Sequence, residues 1–361
     1  MINRFADGVR RWAAVAAAGA CAGAMCATAL AAPAQMKAIV EHGTGGPEVV
    51  RLETLPVPEP GPNQVRIRVY AAAINPVDWE IRSGAFGPPR RGGAAGAPPA
   101  PAPLLHPGIE VAGVIDALGP GVSEWKRGQA VFGEVANGSA GYAQYTLADT
   151  DDIAPKPRRM SYEQAAGASV GGLTAMRTVR ETHVGPGTTV AVVGAAGGVG
   201  SAVVELAKAR GATVIAVASS RHNAYLKKIG ADRIINYDKG PADAAGANAD
   251  VVINTAPGQA DAALAYAKRG GTVVSIIGPP SPAQCAAAGV NCPPDRGGRV
   301  PGAIAKEELA QISKLADEGK FTVQVEKTFP LAQAAEAQEF NRAGHAQGKV
   351  VLVVAAGAAA H

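Results

Sequence analysis

The chain is poor in charge and in aromatic rings: 18% of its 361 residues are charged and 4% are Phe, Trp or Tyr. With a formal net charge of +4 and no basic cluster interleaved with aromatics, nothing in it marks a nucleic-acid groove, and none is expected as a partner. Cysteine is scarce as well. Four in the whole chain exclude a scaffold built mainly from disulfides. What is abundant is apolar residues, at 47%, and glycine, at 45 positions. That length and composition suffice for two domains with cores of their own, so global disorder is not expected. The expected partner is a small molecule.

The first 35 residues stand apart. Arg4, Arg10 and Arg11 precede an Ala-rich apolar run from Trp12 to Ala32, and Ala29-Leu30-Ala31 resembles a signal-peptidase site. Residues 1–35 therefore read as a removable export signal, which would make the mature chain periplasmic or secreted. A retained membrane anchor is the alternative, but so much Ala and Gly makes the run weakly hydrophobic. No stable membrane insertion is expected after cleavage. Arg10-Arg11 resembles a twin-arginine signal, although the Phe, Leu and Lys that usually follow are missing. If the segment is misassigned, the protein is cytoplasmic. Cys21 and Cys26 would leave with the signal, and Cys285 and Cys292 remain. In an oxidising compartment that close pair is expected to form a disulfide, two free thiols being the alternative; a metal site would need more ligands nearby.

Along the mature chain the pattern changes once. From Met36 to about Arg159, apolar or alternating runs such as "QVRIRVYAAAI" lie between Gly and Pro turns and predict a β-rich domain. Within it, Gly87–Pro103 is a Pro/Ala/Gly insert that cannot bury a core. From about Ser161, helical stretches alternate with the strands "TVAVVG", "TVIAVAS", "RIINY", "DVVINTA" and "TVVSIIG", which predicts a doubly wound parallel sheet. A helix is expected over Lys306–Glu318, followed by strands at "FTVQVE" and "GKVVLVV" that return to the first domain. The resulting division is 1–35 signal, 36–160 first part of the β-rich domain, 161–319 cofactor domain and 320–361 return segment.

Against 45 glycines, a run of small residues means little by itself, since about 7% is usual. The run Gly194-Ala195-Ala196-Gly197-Gly198-Val199-Gly200 is different because of its context. A β-branched strand, Thr188–Val193, precedes it. Val199, Val203 and Leu206 follow at helical spacing, with Gly211 as the stop. A glycine turn between a buried strand and a helix N-terminus gathers backbone N–H groups and the positive end of the helix dipole, which suits a pyrophosphate. Dinucleotide binding is expected at Ala195, Ala196, Gly197, Gly198, Val199 and Gly200.

The order of motifs resembles the zinc-independent quinone oxidoreductase-like branch of the medium-chain dehydrogenase/reductase superfamily. The resemblance rests on Ala195–Gly200, "NPVDW" at Asn75–Trp79, "PGIEVAGVIDALGPGV" at Pro107–Val122, "GLTA" at Gly172–Ala175, "GAD" at Gly230–Asp232 and "GKVVLVV" at Gly348–Val354. It implies an α/β fold, a Rossmann cofactor domain joined to a β-rich GroES-like catalytic domain. It also implies an NADPH-dependent oxidoreductase that reduces small hydrophobic quinones or α,β-unsaturated carbonyl compounds. The zinc members of the superfamily carry a ligand Cys near Asn75 and Gly-His-Glu where Gly108-Ile109-Glu110 stands here, so no metal is expected.

An NAD site usually has Asp or Glu at the end of the second strand, about 20 residues past the glycines. Here Ala218-Ser219-Ser220-Arg221 holds no acid, and two hydroxyls with a guanidinium suit a 2′-phosphate, so NADPH is expected at Ser219, Ser220 and Arg221. A solvated surface charge is the alternative for Arg221. By resemblance Tyr237 lies near the same phosphate, or else caps a strand. The resemblance also places Asn75 and Thr174 as catalytic residues near the nicotinamide; a turn and an intrahelical hydroxyl are their plain alternatives. Asp78 orders the local loop, and Trp79 is expected to wall the substrate pocket. Ile277 and Gly278, after a sixth strand, are expected to offer backbone to the nicotinamide amide. His106 and Glu110 receive no role. The family implies a homodimer through the sheet edge near Thr272–Ile277. A second functional reading is an exported NADP(H)-binding sensor or structural protein without significant turnover, because an exported reductase lacks cofactor recycling.

Overall fold

The computed structural model describes residues 34–85, 104–240, 246–294, 302–344 and 346–355. All but the last two residues of the expected signal, and the whole Gly87–Pro103 insert, lie outside the described residues.

The first part of the chain is β-rich. β1 (Gln35–His42), β2 (Val50–Pro56) and β3 (Gln64–Ile74) lead to a short helix, α1 (Pro76–Arg82), and then come β4 (Leu104–Leu105), β5 (Glu110–Leu118), β6 (Ala130–Glu134), β7 (Tyr145–Asp149) and β8 (Ile153–Pro155). β1 pairs with β2 and β4, while β3, β5, β6, β7 and β8 join an antiparallel sheet. Val65, Ile67 and Val69 along β3 point to one side and are fully buried, the two-residue period of a strand with one face in the core. From Tyr70 to Ile74 burial becomes continuous, because both faces of the strand are covered there.

The second part alternates helix and strand. In order come α2 (Tyr162–Ala166), α3 (Ser169–Glu181), β9 (Thr189–Val193), α4 (Gly198–Ala209), β10 (Thr213–Ala218), α5 (Asn223–Lys228), β11 (Arg233–Asn236), β12 (Ala249–Asn254), α6 (Ala260–Ala263), β13 (Ala267–Ser275), α7 (Pro282–Ala288) and α8 (Gly302–Asp317). The strands form one parallel sheet in the order β11-β10-β9-β12-β13, with β9 at its centre. This is the doubly wound arrangement, in which the carboxyl ends of the strands near the order reversal form a crevice. Val190 and Val192 enter the core cluster that includes Leu206 and Leu309, whereas Ala191 and Val193 enter the one on the opposite face with Val217 and Val273. Both faces of β9 are therefore buried, and truncating a buried Val, Leu or Ile at such a position costs about 1–5 kcal/mol. Among the described residues this sheet has five strands, so Ile277 and Gly278 follow its fifth strand, not a sixth.

The chain then returns. β14 (Val325–Pro330), α9 (Ala334–Arg342) and β15 (Lys349–Val353) complete it, with β15 antiparallel to β3 and parallel to β14. The strand expected at "FTVQVE" starts only at Val325. Upstream, side chains take the backbone groups instead: Thr322 N–H donates to the Glu205 carboxylate at 2.9 Å and Val323 C=O accepts from Gln164 Nε2 at 3.3 Å. The helix expected from Lys306 begins earlier, at Gly302.

Along the outer side of β13 runs the segment closed by a disulfide between Cys285 and Cys292. Asn291 N–H donates to Gly271 C=O and Val273 N–H donates to Asn291 C=O, both at 2.8 Å. No helix among the described residues is long and apolar enough to cross a membrane.

Candidate active site

The glycine turn sits at the carboxyl end of β9. Gly194 has φ of +80°, a left-handed conformation that favours glycine, and both its N–H and that of Ala195 donate to Val217 C=O. α4 starts at Gly198 with Gly197 as N-cap and no side-chain cap, so its first N–H groups face outward for an anion. Two glycines here are required by protein packing: a Cβ on Gly200 would lie 2.1 Å from Gly194 O, and one on Gly198 would lie 2.6 Å from Lys349 Cδ. Gly197 is not, since its nearest neighbour would be 3.4 Å away at Gly194 O. Open space above an uncapped helix end is what a diphosphate requires, and the residues fit one.

Beside this turn, β10 and β11 end together, with Ala218 opposite Asn236. Ser219, Ser220 and Arg221 leave β10 there, and Tyr237 leaves β11 with 65% of its surface exposed. The structure adds an acid that the second strand does not carry. Asp238 accepts from Ser220 N–H at 2.9 Å, from Ser220 Oγ at 2.7 Å and from Ser219 Oγ at 3.2 Å. Arg221 Nε donates to His222 Nε2 at 2.9 Å, and His222 Nδ1 lies 2.9 Å from Gln347 Oε1. The return segment thus reaches the glycine turn: Gly348 N–H donates to Ala196 C=O at 2.8 Å.

One residue further on, that segment enters a buried polar cluster around Asn75. Lys349 Nζ donates to Asn75 Oδ1 and Glu110 Oε1, both at 2.7 Å, and Asn75 Nδ2 donates to Glu110 Oε1 at 3.0 Å. The other Glu110 oxygen accepts from Ser169 Oγ and Val170 N–H, both at 2.8 Å, at the start of α3. Asn75 N–H donates to Asp78, whose same oxygen accepts from Tyr142 OH at 2.5 Å. Burial raises the Asp78 carboxyl to about 6 against the bonds from Tyr142 and Asn75, and burial likewise pushes the Tyr142 phenol well above its ordinary value. Asp78 therefore does order the loop, as N3 of the α1 capping box.

Thr174 is half-buried on α3, one turn beyond Val170, and the intrahelical hydroxyl bond at this point is made by Thr178 Oγ1 to Thr174 C=O at 2.8 Å. Trp79 donates its indole N–H to Asn341 Oδ1 on α9 at 3.0 Å. Ile277 C=O accepts from Ser275 Oγ at 3.2 Å, and Gly278 is exposed with φ of +70°. His106 is exposed, whereas Glu110, also given no role, is fully buried at the centre of the cluster. Lys349 and Asp238 were missed as site residues. Each has a readable signal: a lysine in an otherwise apolar strand, and an acid just past the third parallel strand.

Two family models match the chain, "Alcohol dehydrogenase GroES-like domain" over residues 61–189 and "Zinc-binding dehydrogenase" over residues 229–352. A zinc site does not fit these residues: the Asn75 amide and Glu110 carboxylate already hold an ammonium, Ile109 has no donor atom, and among the described residues no three His, Cys, Asp or Glu group to hold a metal. The chain is 33% identical over 332 residues to an NADPH-dependent alkenal/one oxidoreductase of Arabidopsis thaliana, covering 89% of this chain and 80% of that one. Among solved structures, the quinone oxidoreductase of Coxiella burnetii superposes with a TM-score of 0.75 at 30% identity, covering 89% of this chain and all of that one. A mycobacterial protein solved in complex with NADPH gives a TM-score of 0.75 at 30% identity, over 88% of this chain and all of that one. With the glycine turn, the five-stranded parallel sheet and the return strand in place, the chain belongs to the quinone oxidoreductase-like branch of the medium-chain dehydrogenase/reductase superfamily.

Proposed function

We propose that the protein is an NADPH-dependent oxidoreductase that reduces quinones or α,β-unsaturated carbonyl compounds by hydride transfer. The observation that carries this reading is the uncapped N-terminus of α4 above Gly197, tied through Gly348 and Lys349 to the Asn75 cluster. The names of the relatives support the substrate class and the cofactor.

When bound, NADPH supplies the hydride. The chain's residues supply position and field. Ala195–Gly200 would hold the diphosphate, and Ser219, Ser220, Arg221 and Tyr237 surround the place for the adenosine end. Asn75 has one amide N–H and one lone pair left after its bonds to Glu110 and Lys349, and these can orient a carbonyl or carboxamide. The buried Lys349 ammonium sits 2.7 Å from that amide oxygen, so the amide dipole is fixed before substrate arrives. An enone accepts hydride at its β-carbon, and the enolate then takes a proton from solvent. Oxidation of NADPH by full-length protein, followed by nicotinamide absorbance with a simple quinone and a simple enone, tests the reading. Tight NADPH binding without turnover on a broad acceptor panel would replace it with the sensor reading.

Residues 1–35 are proposed as an export signal, supported by the arginines before the Ala-rich run and the Ala29-Leu30-Ala31 site. N-terminal sequencing of the mature protein and cell fractionation decide between a periplasmic or secreted and a cytoplasmic enzyme. A homodimer through Thr272–Ile277 is a separate reading. It has to accommodate Gly289–Asn291, which already bond along that edge, and light scattering decides it.

A further inference from the structure

Asp238 stands where the second strand offers no acid. It reaches that place from the third strand, because β10 and β11 are parallel neighbours whose carboxyl ends emerge together. Its two oxygens engage three donors: the Ser220 N–H and the hydroxyls of Ser219 and Ser220. The Ser220 hydroxyl and N–H hold the carboxyl below its ordinary range, so it is ionised at neutral pH.

A 2′-phosphate at this position needs the same donors and brings about two negative charges of its own. To take them it must displace the carboxylate and remain beside it. A ribose 2′-hydroxyl has neither difficulty, since it can donate to a carboxylate that keeps its serine bonds.

We propose that Asp238 is the selectivity residue of the adenosine subsite, competing with a 2′-phosphate for the Ser219 and Ser220 donors so that the site accepts NADH alongside NADPH. The proposal rests on the dinucleotide reading above and goes beyond it in assigning the balance between the two cofactors to one carboxylate.

Calorimetric titration of the full chain with 2′,5′-ADP and 5′-AMP isolates the 2′-phosphate from the rest of the cofactor, and fluorescence titration with NADPH and NADH repeats the comparison with whole nucleotides. The wild-type protein is expected to bind NADH within about ten-fold of NADPH. Asp238→Asn, which retains an acceptor for Ser220 N–H, is expected to raise the 2′,5′-ADP to 5′-AMP affinity ratio about ten-fold, or ~1.4 kcal/mol. Asp238→Glu, which keeps the charge, should stay near the wild-type ratio. A ratio in Asp238→Asn within two-fold of wild type overturns the proposal, as does a wild-type preference for NADPH above one hundred-fold. Failure of the wild type to bind any of the four compounds overturns it together with the dinucleotide reading.

Discussion

Lys349 Nζ lies 2.7 Å from Glu110 Oε1, an ion pair between side chains 7% and 0% exposed that closes 239 residues of chain. Glu110 begins β5 in the antiparallel sheet and also caps the entry to α3, while Lys349 begins β15 just past the contact with the phosphate turn. The pair therefore ties β5 to the return segment, which bonds the glycine turn through Gly348, and both partners also hold Asn75. A buried pair adds little net stability when intact, but removing one partner leaves a charge without compensation. Lys349→Met is expected to lower unfolding stability by about 3–5 kcal/mol, and the Glu110→Gln/Lys349→Met double variant to recover part of it. Denaturant melts of the three proteins check this. Equal loss in the single and double variants would show that the pair is not what the Met side chain disturbs.

Stability is expected to fall as pH rises toward neutrality, and Glu205 is one cause. Burial lifts its carboxyl from 4.5 to about 7, against the opposing bonds from Thr322 N–H and hydroxyl. Between those values the folded state holds a proton that the unfolded chain has released, so stability drops with rising pH by up to about 1.4 kcal/mol per pH unit. Above about 7 the loss is complete. Glu41, raised by burial to about 7, and Asp78, raised to about 6, act in the same sense. Glu205→Gln removes one such group, so its melting temperature should gain on the wild type between pH 5 and pH 8. Parallel melting curves across that range would sink the assignment.

What could be read from the sequence is what local pattern determines. The glycine turn was legible because strand, turn and helix follow one another within about 25 residues, and β9 and α4 lie where β-branching and helical spacing put them. The Asn75 cluster was only half legible. Asn75 and Glu110 could be seen as polar residues beside Pro76 and Gly108, but their partner Lys349 comes from a strand far along the chain, and periodicity says nothing about which strands meet. Asp238 was missed for the same reason: parallel pairing of β10 with β11 brings it to Ser220, 18 residues earlier. The late start of β14 reflects side chains of Glu205 and Gln164 that replace ladder partners, a tertiary effect over local propensity.

The Cys285–Cys292 disulfide closes a loop of about eight residues, for which chain entropy alone gives roughly 2–3 kcal/mol. Its local effect should be larger than its global one, because Gly289 and Asn291 bond to the edge of β13 from inside that loop. Adding reductant, or substituting both residues with Ser, is expected to lower the melting temperature by a few degrees. It should also speed amide exchange at Val273 and Asn291, while exchange at Val190 to Val192 in the sheet centre stays slow. Unchanged exchange at Val273 and Asn291 would mean that the backbone bonds hold the edge without the disulfide.

Gly197 and Gly200 separate what the fold requires from what a ligand requires. At Gly200 a Cβ would meet the backbone of Gly194 at 2.1 and 2.8 Å, so Gly200→Ala must push the turn open and is expected to lose both stability and nucleotide binding. At Gly197 the backbone is extended, with φ of −77°, and an added Cβ has no protein atom closer than 3.4 Å. Gly197→Ala should therefore fold normally, within about 1 kcal/mol of the wild type, because Ala also has less backbone entropy to lose. Its methyl group would nevertheless stand above the α4 N–H groups, where a diphosphate has to approach. NADPH affinity is expected to fall by at least about ten-fold in Gly197→Ala, measured by fluorescence titration beside a thermal melt. Retained affinity with normal folding would move the diphosphate away from this helix end, and with it the cofactor orientation on which the roles of Asn75 and Lys349 depend.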